Sequence, residues 1–342
     1  MKMMDKMKTI IAAILTSLPF SSQAQSLGLT CWTIEGGQTK LAVENSFMEV
    51  PDSIAAIDLC GIEDIALDCS SANPNCLYYI DKATSVEGLP SANVVCEGIC
   101  DGLLLTDEAC FFCPMSFWAT DAMLRFTPRL DDEDGEPDFN QPSHETVLLP
   151  FDADFVIPQD VNGPMPERWL QLATYSTCDF DMLVFYRSYD DCLMANTPYL
   201  VTFEYGAFGS QILFCGQNKY VEETRNNVYD NVPYCFAGVT KLEKEQSGFY
   251  RYYRGQESYF IHSGDGGPME PFRCFIVSTM TDSAPLSSGQ ILWYYVSDGS
   301  DSIGPCVKSH ASMVCYDMMG RPLPKGNWRK GIIIADGVKI LR

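Results

Sequence analysis

The sequence predicts an all-β protein: a short β-solenoid or repeat-like N-terminal region, then a β-sandwich, then a small C-terminal β-hairpin module. Two observations support this fold class. Short runs rich in Val, Ile, Tyr and Phe recur between clusters of Gly, Pro, Asn and Asp, which is the pattern of strands and turns. Almost no stretch has the period of an amphipathic helix. With 342 residues, of which 46% are hydrophobic, the chain can bury one or two large cores.

The N-terminal residues 1–24 have the pattern of a secretory signal peptide. A basic stretch with Lys2, Lys6 and Lys8 precedes an apolar run at 10–20, and Ser22-Gln23-Ala24 supplies small residues before a cleavage site. These are the n-region, h-region and cleavage site of an exported chain. No other segment has enough consecutive apolar residues to span a bilayer, so we expect no integral membrane span.

Residues 25–128 read as a repeat-like β-domain. Short apolar runs lie at 54–57, 65–67, 77–80, 93–95 and 103–105. Strands of this length and spacing are typical of the coils of a β-solenoid or of a degenerate leucine-rich array.

Residues 129–142 form an acidic segment that predicts a solvated linker. Six of the eight residues at 131–138 are Asp or Glu, and such charge runs are usually exposed. Calcium binding is the alternative. However, an EF-hand alignment on Gly135 places Leu130 and Gln141 at ligand positions, where carboxylates are needed.

Residues 143–310 contain longer β-type runs and predict the β-sandwich. The clearest runs lie at 146–151, 182–186, 199–203, 211–214, 272–277 and 291–295. A sandwich is the usual packing for this number of strands in one domain. The last segment, 311–342, has two further short runs around Asp336-Gly337, a strong two-residue hairpin signal.

The chain has 15 cysteines. Cys96, Cys100, Cys110 and Cys113 have a spacing that resembles a four-thiolate zinc or iron–sulfur site. Their neighbours are apolar, and Cys often behaves as a small core residue. We therefore expect buried thiols or disulfides, with no metal and no cofactor.

No catalytic motif is evident, and we expect a protein that is not an enzyme. The stretch 263–268 (SGDGGP) lacks the serine between Asp and Gly of a protease G-D-S-G-G-P motif. It predicts a hairpin loop between a strand that ends at Ile261 and a strand at Phe272. The three histidines, His144, His262 and His310, have no metal-binding spacing. Paired carboxylates for glycoside hydrolysis remain an open alternative, because the chain has 45 acidic residues and the sequence does not fix their separation.

Aromatic residues mark a candidate ligand surface. The run 249–254 is dense in aromatic rings, and the candidate residues are Tyr250, Tyr252, Tyr259 and Trp293. Such rings bind glycans or a host protein. The alternative is that one strand face is core and the other is solvated. The net charge of −22 argues against a nucleic-acid partner, which requires clustered basic residues.

Several stretches resemble a known family. Residues 73–79 (NPNCLYY), 105–107 (LTD) and 111–114 (FFCP) look like the segment that closes the repeat array in exported leucine-rich-repeat surface proteins of Bacteroidetes-type Gram-negative anaerobes. Residues 145–151 (ETVLLPF), 197–201 (TPYLV) and 270–275 (EPFRCF) are similar to strands of the β-domain that follows it. The resemblance implies an exported surface protein with a repeat array and a β-domain.

The C-terminal residues resemble the end of type IX secretion signals. The matching positions are Tyr316, Asp317, Gly320, Arg321, Gly331, Gly337 and Lys339. This resemblance implies that an export or anchoring machinery recognises the tail and delivers the protein to the cell surface at the outer membrane or to the medium. If the tail is not recognised, the protein is periplasmic. We expect a non-enzymatic adhesion or binding protein; the alternative is a carbohydrate-binding or carbohydrate-cleaving β-protein.

Overall fold

The computed structural model describes residues 28–128, 143–159, 170–179, 182–187, 192–203, 211–226, 234–244, 249–253, 259–262, 267–277, 290–296, 315–317, 332–335 and 338–341. The regular elements within these ranges are all β-strands, so the predicted all-β class is confirmed. Nothing in these ranges forms a helix of the length and apolarity needed to cross a membrane. The predicted signal peptide, 1–24, and linker, 129–142, lie outside the described residues.

The N-terminal region is a short β-solenoid. The first eight strands are β1 (Gly28–Thr33), β2 (Gln38–Ala42), β3 (Phe47–Glu49), β4 (Ile54–Asp58), β5 (Glu63–Asp68), β6 (Leu77–Ile80), β7 (Ser85–Glu87) and β8 (Val94–Cys96). Two longer strands follow the solenoid, β9 (Ile99–Thr106) and β10 (Phe117–Phe126). Strands β4, β6 and β8 pair in parallel, and β3, β5 and β7 pair in parallel in a second sheet. The chain alternates between the two sheets, which confirms the predicted coils.

The sheet formed by β4, β6 and β8 is buried on both faces. Ile57 and Tyr78 point into the solenoid interior with other buried residues such as Ile65. Their neighbours in sequence, Ala56 and Leu77, point to the opposite face and join a larger core. This alternation follows from the two-residue period of a strand, and it couples the solenoid to the rest of the fold.

Two buried asparagine side chains fasten the solenoid coils to β9. The Asn93 amide Nδ2 donates to the Leu104 carbonyl at 2.9 Å, and the Leu104 N–H donates to Asn93 Oδ1 at 2.7 Å. Asn75 makes the same reciprocal pair with Thr106, with both distances at 2.8 Å. Each side-chain amide therefore replaces a peptide group of a neighbouring strand, and it satisfies backbone groups that would otherwise be buried without partners.

We expect Asn93→Ala to destabilise the fold by about 2–4 kcal/mol, because it leaves buried backbone groups of β9 without partners and places alanine at a left-handed φ. Asn93 has φ of 62°. The matched control is Asn45→Ala, since Asn45 has φ of 51° but an exposed side chain; the control carries only the backbone strain, about 1–2 kcal/mol. Urea unfolding measures both, and equal losses would show that the amide contributes nothing.

The strands of the second half are β11 (Ser143–Val147), β12 (Phe155–Pro158), β13 (Leu170–Asp179), β14 (Met182–Arg187), β15 (Tyr199–Phe203), β16 (Ile212–Val221), β17 (Cys235–Val239), β18 (Phe249–Tyr253), β19 (Tyr259–His262), β20 (Arg273–Val277) and β21 (Gln290–Val296). They contribute to two nine-stranded sheets. The first has the order β12-β16-β10-β9-β8-β6-β4-β1-β2, and the second has the order β11-β15-β13-β14-β21-β19-β18-β20-β17. Two strands from the 143–310 segment, β12 and β16, thus complete the sheet of the N-terminal region.

The two large sheets pack as a sandwich. Tyr199 and Val201 of β15 point toward the first sheet and share a core with Phe117 and Phe214. Leu200, between them, points to the concave face of the second sheet, where it joins a separate core with Phe185 and other residues. The second sheet is therefore curled, and it has one core inside its curve and another between it and the first sheet.

A hydroxyl joins β11, one edge strand of this curled sheet, to β20, the strand next to the other edge. Thr146 of β11 donates to the Cys274 carbonyl at 3.1 Å and accepts the Cys274 N–H at 2.9 Å. The next hydrogen bond, from Leu148 N–H to the Phe272 carbonyl at 3.0 Å, also runs to the β20 segment. The sequence predicts a strand that continues to Phe151. Because the hydrogen-bond partner changes here, β11 ends at Val147.

Two smaller features complete the fold. The predicted hairpin between the strands at 261 and 272 is wrong, because β19 pairs with β18 and β21, while β20 pairs with β17 and β18.

The C-terminal module is a three-stranded antiparallel sheet of β22 (Cys315–Asp317), β23 (Ile332–Ala335) and β24 (Val338–Leu341). Ala335 pairs with Val338, as expected for a two-residue hairpin loop at 336–337.

A buried arginine connects the two large sheets. Arg273 of β20 places Nη1 3.1 Å from Glu145 Oε2 of β11. Its Nη2 lies 2.9 Å from Asp107 Oδ2, just after β9, and donates to the Thr127 carbonyl at 2.7 Å, just after β10. The guanidinium carbon lies 3.9 Å from the centre of the Phe126 ring. Four distant segments therefore meet at one charged side chain.

The carboxylates in this cluster depend on the arginine. The side chains of Asp107 and Glu145 are 4% and 1% exposed. Burial raises the pKa of the Asp107 carboxyl, although the charge of Arg273 lowers it. Asp107 Oδ1 is buried without a hydrogen-bond partner among the described residues. An ionised Asp107 is thus costly to keep in this environment unless its counter-charge is present.

We expect Arg273→Met to destabilise the protein by about 3–5 kcal/mol at pH 7, because it leaves two carboxylates buried without a counter-charge. The loss should shrink as the pH falls. Folding raises the pKa of Asp107, so protonation of this group favours the folded state, and a neutral carboxyl needs no counter-charge. The control is Arg125→Met, since Arg125 lies on β10 with an exposed side chain. Urea unfolding at pH 5 and pH 7 measures both; a loss as small as in the control would contradict the prediction.

Candidate functional site

The predicted aromatic ligand surface is wrong at Tyr250. This residue is 2% exposed and belongs to the core inside the curled sheet, where its ring lies 6.3 Å from that of Tyr234. The adjacent Phe249 is 1% exposed and packs into a different core on the other face of β18. Both faces of the strand are therefore covered at this point. Tyr252, Tyr259 and Trp293 lie on β18, β19 and β21, and their side chains are outside the described part.

The four closely spaced cysteines are free thiols. Cys100 and Cys113 are fully buried in the core between the sheets, whereas Cys96 and Cys110 are half-buried. Burial raises the pKa of Cys100 to about 11 and that of Cys113 to about 12. Such thiols stay protonated at neutral pH and are poor metal ligands and nucleophiles. Within the described residues, no group of three or more Cys, His, Asp or Glu is arranged to hold a metal ion.

The described part of the sorting-like motif lies in the C-terminal sheet. Tyr316 of β22 pairs with Ile334 of β23, and Ile334 pairs with Lys339 of β24. Tyr316 and Lys339 are therefore at the same level on the two outer strands. Asp317 follows on β22. The other motif positions, Gly320, Arg321, Gly331 and Gly337, are outside the described residues.

The first nine-stranded sheet has an outer surface with many exposed apolar side chains. We call the outer surface of β9, β10, β16 and β12 the exposed sheet face. Its large apolar members are Ile99, Leu104, Trp118, Phe155, Ile157 and Tyr220, which are 41–55% exposed. Strand register aligns Ile99, Trp118 and Tyr220 in one row across three strands. A second row contains Leu104, Met123, Cys215 and Phe155.

Trp118 and Tyr220 form an aromatic pair on this face. Their ring centres are 5.3 Å apart and the rings are tilted by 51°. Trp118 points outward because Phe117, its neighbour on β10, points inward, is 1% exposed and packs edge-to-face on Tyr79 at 6.5 Å. The backbone N–H of Trp118 also donates to the Gly98 carbonyl at 2.9 Å, and this bond fixes the start of the strand.

A polar row lies beside the aromatic pair. Asp101, Thr120 and Asn218 are exposed, and each lies two residues from a member of the Ile99–Trp118–Tyr220 row on the same strand. The pairs on either side of Thr120 place it opposite Asp101 on β9 and Asn218 on β16. These side chains supply a carboxylate, a hydroxyl and an amide, so they include both hydrogen-bond donors and acceptors.

The charged groups Asp121, Lys219 and Asp154 near this row each have a polar partner. Asp121 accepts a hydrogen bond from Gln217 Nε2 at 3.3 Å. Lys219 Nζ lies 2.5 Å from Asp154 Oδ1, and the hydrogen bond from Lys219 lowers the pKa of the Asp154 carboxyl. The exposed sheet face can thus make apolar contact and hydrogen bonds side by side.

A groove of about 370 Å³ lies between residues 222–225 and β17. Pro198 and Phe236 are among its apolar lining residues, whereas Glu222 and Lys241 supply opposite charges. Lys241 Nζ donates to Asn226 Oδ1 at 2.5 Å. The mixture of charges in this groove favours no single class of ligand.

Sequence reasoning missed Trp118 and Tyr220, although a signal was present. Phe117-Trp118 and Tyr220-Val221 are adjacent large apolar residues, and two neighbours on a strand point to opposite faces. One member of each pair had to face away from the core.

No protein-family model, curated protein or solved structure matches this chain.

Proposed function

We propose that the protein is an exported, non-enzymatic binding protein that acts in adhesion at the cell surface or outside the cell. Its ligand contacts the exposed sheet face. The observation that supports this most strongly is that six large apolar residues are exposed on one face, in two groups with polar residues between them. Exposed apolar surface next to polar residues often marks a site of interaction.

The inner side of the same strands makes the surface rigid. Phe126 of β10 and Phe214 of β16 are fully buried, and their rings meet edge-to-face at 5.5 Å. On β9, Leu103 and Leu105 are buried in the same core. A surface held in place by its own core loses little conformational entropy on binding, which favours affinity.

The chemistry of the face supports binding without turnover. Aromatic and aliphatic side chains contribute contact area, whereas catalysis requires a nucleophile or an acid–base group with a positioned partner. The second candidate is a carbohydrate-binding protein. It is favoured by one observation, the polar row next to the aromatic pair.

We also propose that export uses the N-terminal residues 1–24 and that the C-terminal sheet is a sorting signal of the type IX kind. The motif resemblance and the antiparallel pairing of β22, β23 and β24 support this proposal. A compact module with an outer strand edge is a shape that a receptor can recognise by strand addition.

We expect Gly337→Val combined with Lys339→Glu to leave the protein folded but trapped in the periplasm, because the changes remove the glycine of the predicted hairpin signal and reverse a charge on β24. Cell fractionation of the native host and protease resistance of the trapped protein measure localisation and folding. Lys308→Glu, a charge change outside the motif, is the control. Normal surface delivery of the double variant would show that the tail is not the signal.

Binding at the exposed sheet face is tested with arrays of extracellular proteins and of glycans, together with a reducing-sugar assay for turnover. We expect the full mature chain to bind one of the two arrays without turnover, and Trp118→Ala with Leu104→Ser to lose that binding. Tyr186→Ala is the matched control, since Tyr186 lies on β14 and is 44% exposed, as is Tyr220. The proposal would be contradicted by unchanged binding of the double variant, by no binding on either array, or by measurable turnover.

A further inference from the structure

We infer that the ligand of the exposed sheet face is a neutral glycan, and that one of its pyranose rings stacks on Trp118 beside Tyr220. This inference rests on the proposed function and names the ligand class. A pyranose is amphipathic, with C–H groups on its ring faces and hydroxyl groups around its edge. The site that fits it therefore has an apolar, flat surface next to groups that both donate and accept hydrogen bonds.

The aromatic pair supplies the apolar part of such a site. Trp118 is 55% exposed and Tyr220 is 44% exposed, and the 5.3 Å between their ring centres is similar to the width of one sugar ring. An indole can present its negative face to the polarised C–H groups of a pyranose. Ile99, which is 53% exposed, extends the apolar row on the other side of Trp118.

The polar row supplies the partners for the hydroxyl groups. Asp101, Thr120 and Asn218 lie two residues along their strands from the apolar row, which is about 7 Å. A sugar ring over Trp118 therefore brings its edge to these side chains. A carboxylate accepts from hydroxyls, whereas an amide and a side-chain hydroxyl donate and accept. This combination satisfies groups that act both as donors and as acceptors.

Charge distinguishes a neutral glycan from an acidic one. The chain has a net charge of −22, and Asp101 of β9 and Asp121 of β10 add exposed carboxylates to the strands that carry Ile99 and Trp118. The nearby cation, Lys219, is engaged with Asp154. An anionic polymer is therefore repelled at this surface. A protein partner, by contrast, would draw mainly on the apolar row of Leu104 and Phe155; beside that row, Asp121 and Gln217 already hydrogen-bond to each other.

The test is isothermal titration calorimetry, which measures the dissociation constant of the full mature chain for three neutral hexasaccharides: maltohexaose, cellohexaose and N-acetylglucosamine hexamer. We expect at least one to bind, and polygalacturonate not to bind. Trp118→Ala should weaken binding about tenfold or more, which is the effect of losing one stacked aromatic contact. Trp118→Phe should retain most of the affinity, because a flat ring remains.

Variants of the polar row test the second half of the site. Thr120→Val keeps the shape of the side chain and removes the hydroxyl, and Asn218→Gly keeps the left-handed backbone, φ of 52°, and removes the amide. Each should weaken binding severalfold, whereas the Tyr186→Ala control should bind like the wild type. Binding of proteins but not of any hexasaccharide would overturn the glycan inference and leave the proposed function standing. Glycan binding that survives Trp118→Ala would overturn the site.

Discussion

The contact between Arg273 and the two carboxylates of Asp107 and Glu145 holds the two halves of the molecule in register. Asp107 directly follows β9 and Thr127 directly follows β10, and both bind the same guanidinium nitrogen. The parallel strands β9 and β10 therefore end at one charged cluster. Their opposite ends present Ile99 and Trp118 to solvent. A buried ion pair that is costly to break thus fixes the orientation of the strands that form the central part of the exposed sheet face.

The same strands separate a core from a candidate binding surface. On β10, Phe117 and Leu124 are buried whereas Trp118 is exposed, and this contrast follows from strand alternation alone. What alternation does not explain is why the outer side is apolar as well. A solvated face has no need for Trp118, Leu104 or Phe155, and their presence costs solubility. The ligand that we propose for this face would cover these residues and would give a physical reason for keeping them.

Local pattern was enough to predict most of the architecture. The runs at 54–57, 65–67 and 77–80 correspond to β4, β5 and β6, because short apolar runs between turn residues favour strands whatever their partners are. Contacts between residues that are distant in sequence could not be predicted from local pattern. Asp107 and Arg273 are separated by 166 positions, and nothing in either motif identifies the other as its partner.

The error at Tyr250 has a related cause. Alternation correctly assigns Phe249 and Tyr250 to opposite faces of β18, but it does not say how many of those faces are covered. The second sheet curls, so its concave side encloses Tyr250 while its convex side covers Phe249. The curl brings Thr146 into contact with Cys274, and this contact is again between distant segments. Trp118 escapes such covering because, among the described residues, the second sheet packs against the inner side of β10.

The edge strand β12 of the first sheet is poorly suited to binding another strand. Among the described strands, β12 forms one edge of this sheet, and it is short and ends in Pro158. Proline has no N–H to donate, and short edge strands with proline resist pairing with another chain. Strand addition at this edge is therefore disfavoured. The exposed sheet face remains the accessible surface of these strands, and its side chains, not its backbone, determine what binds there. Recognition by side chains on a rigid face is well suited to a ligand that has no peptide backbone to pair, such as a glycan.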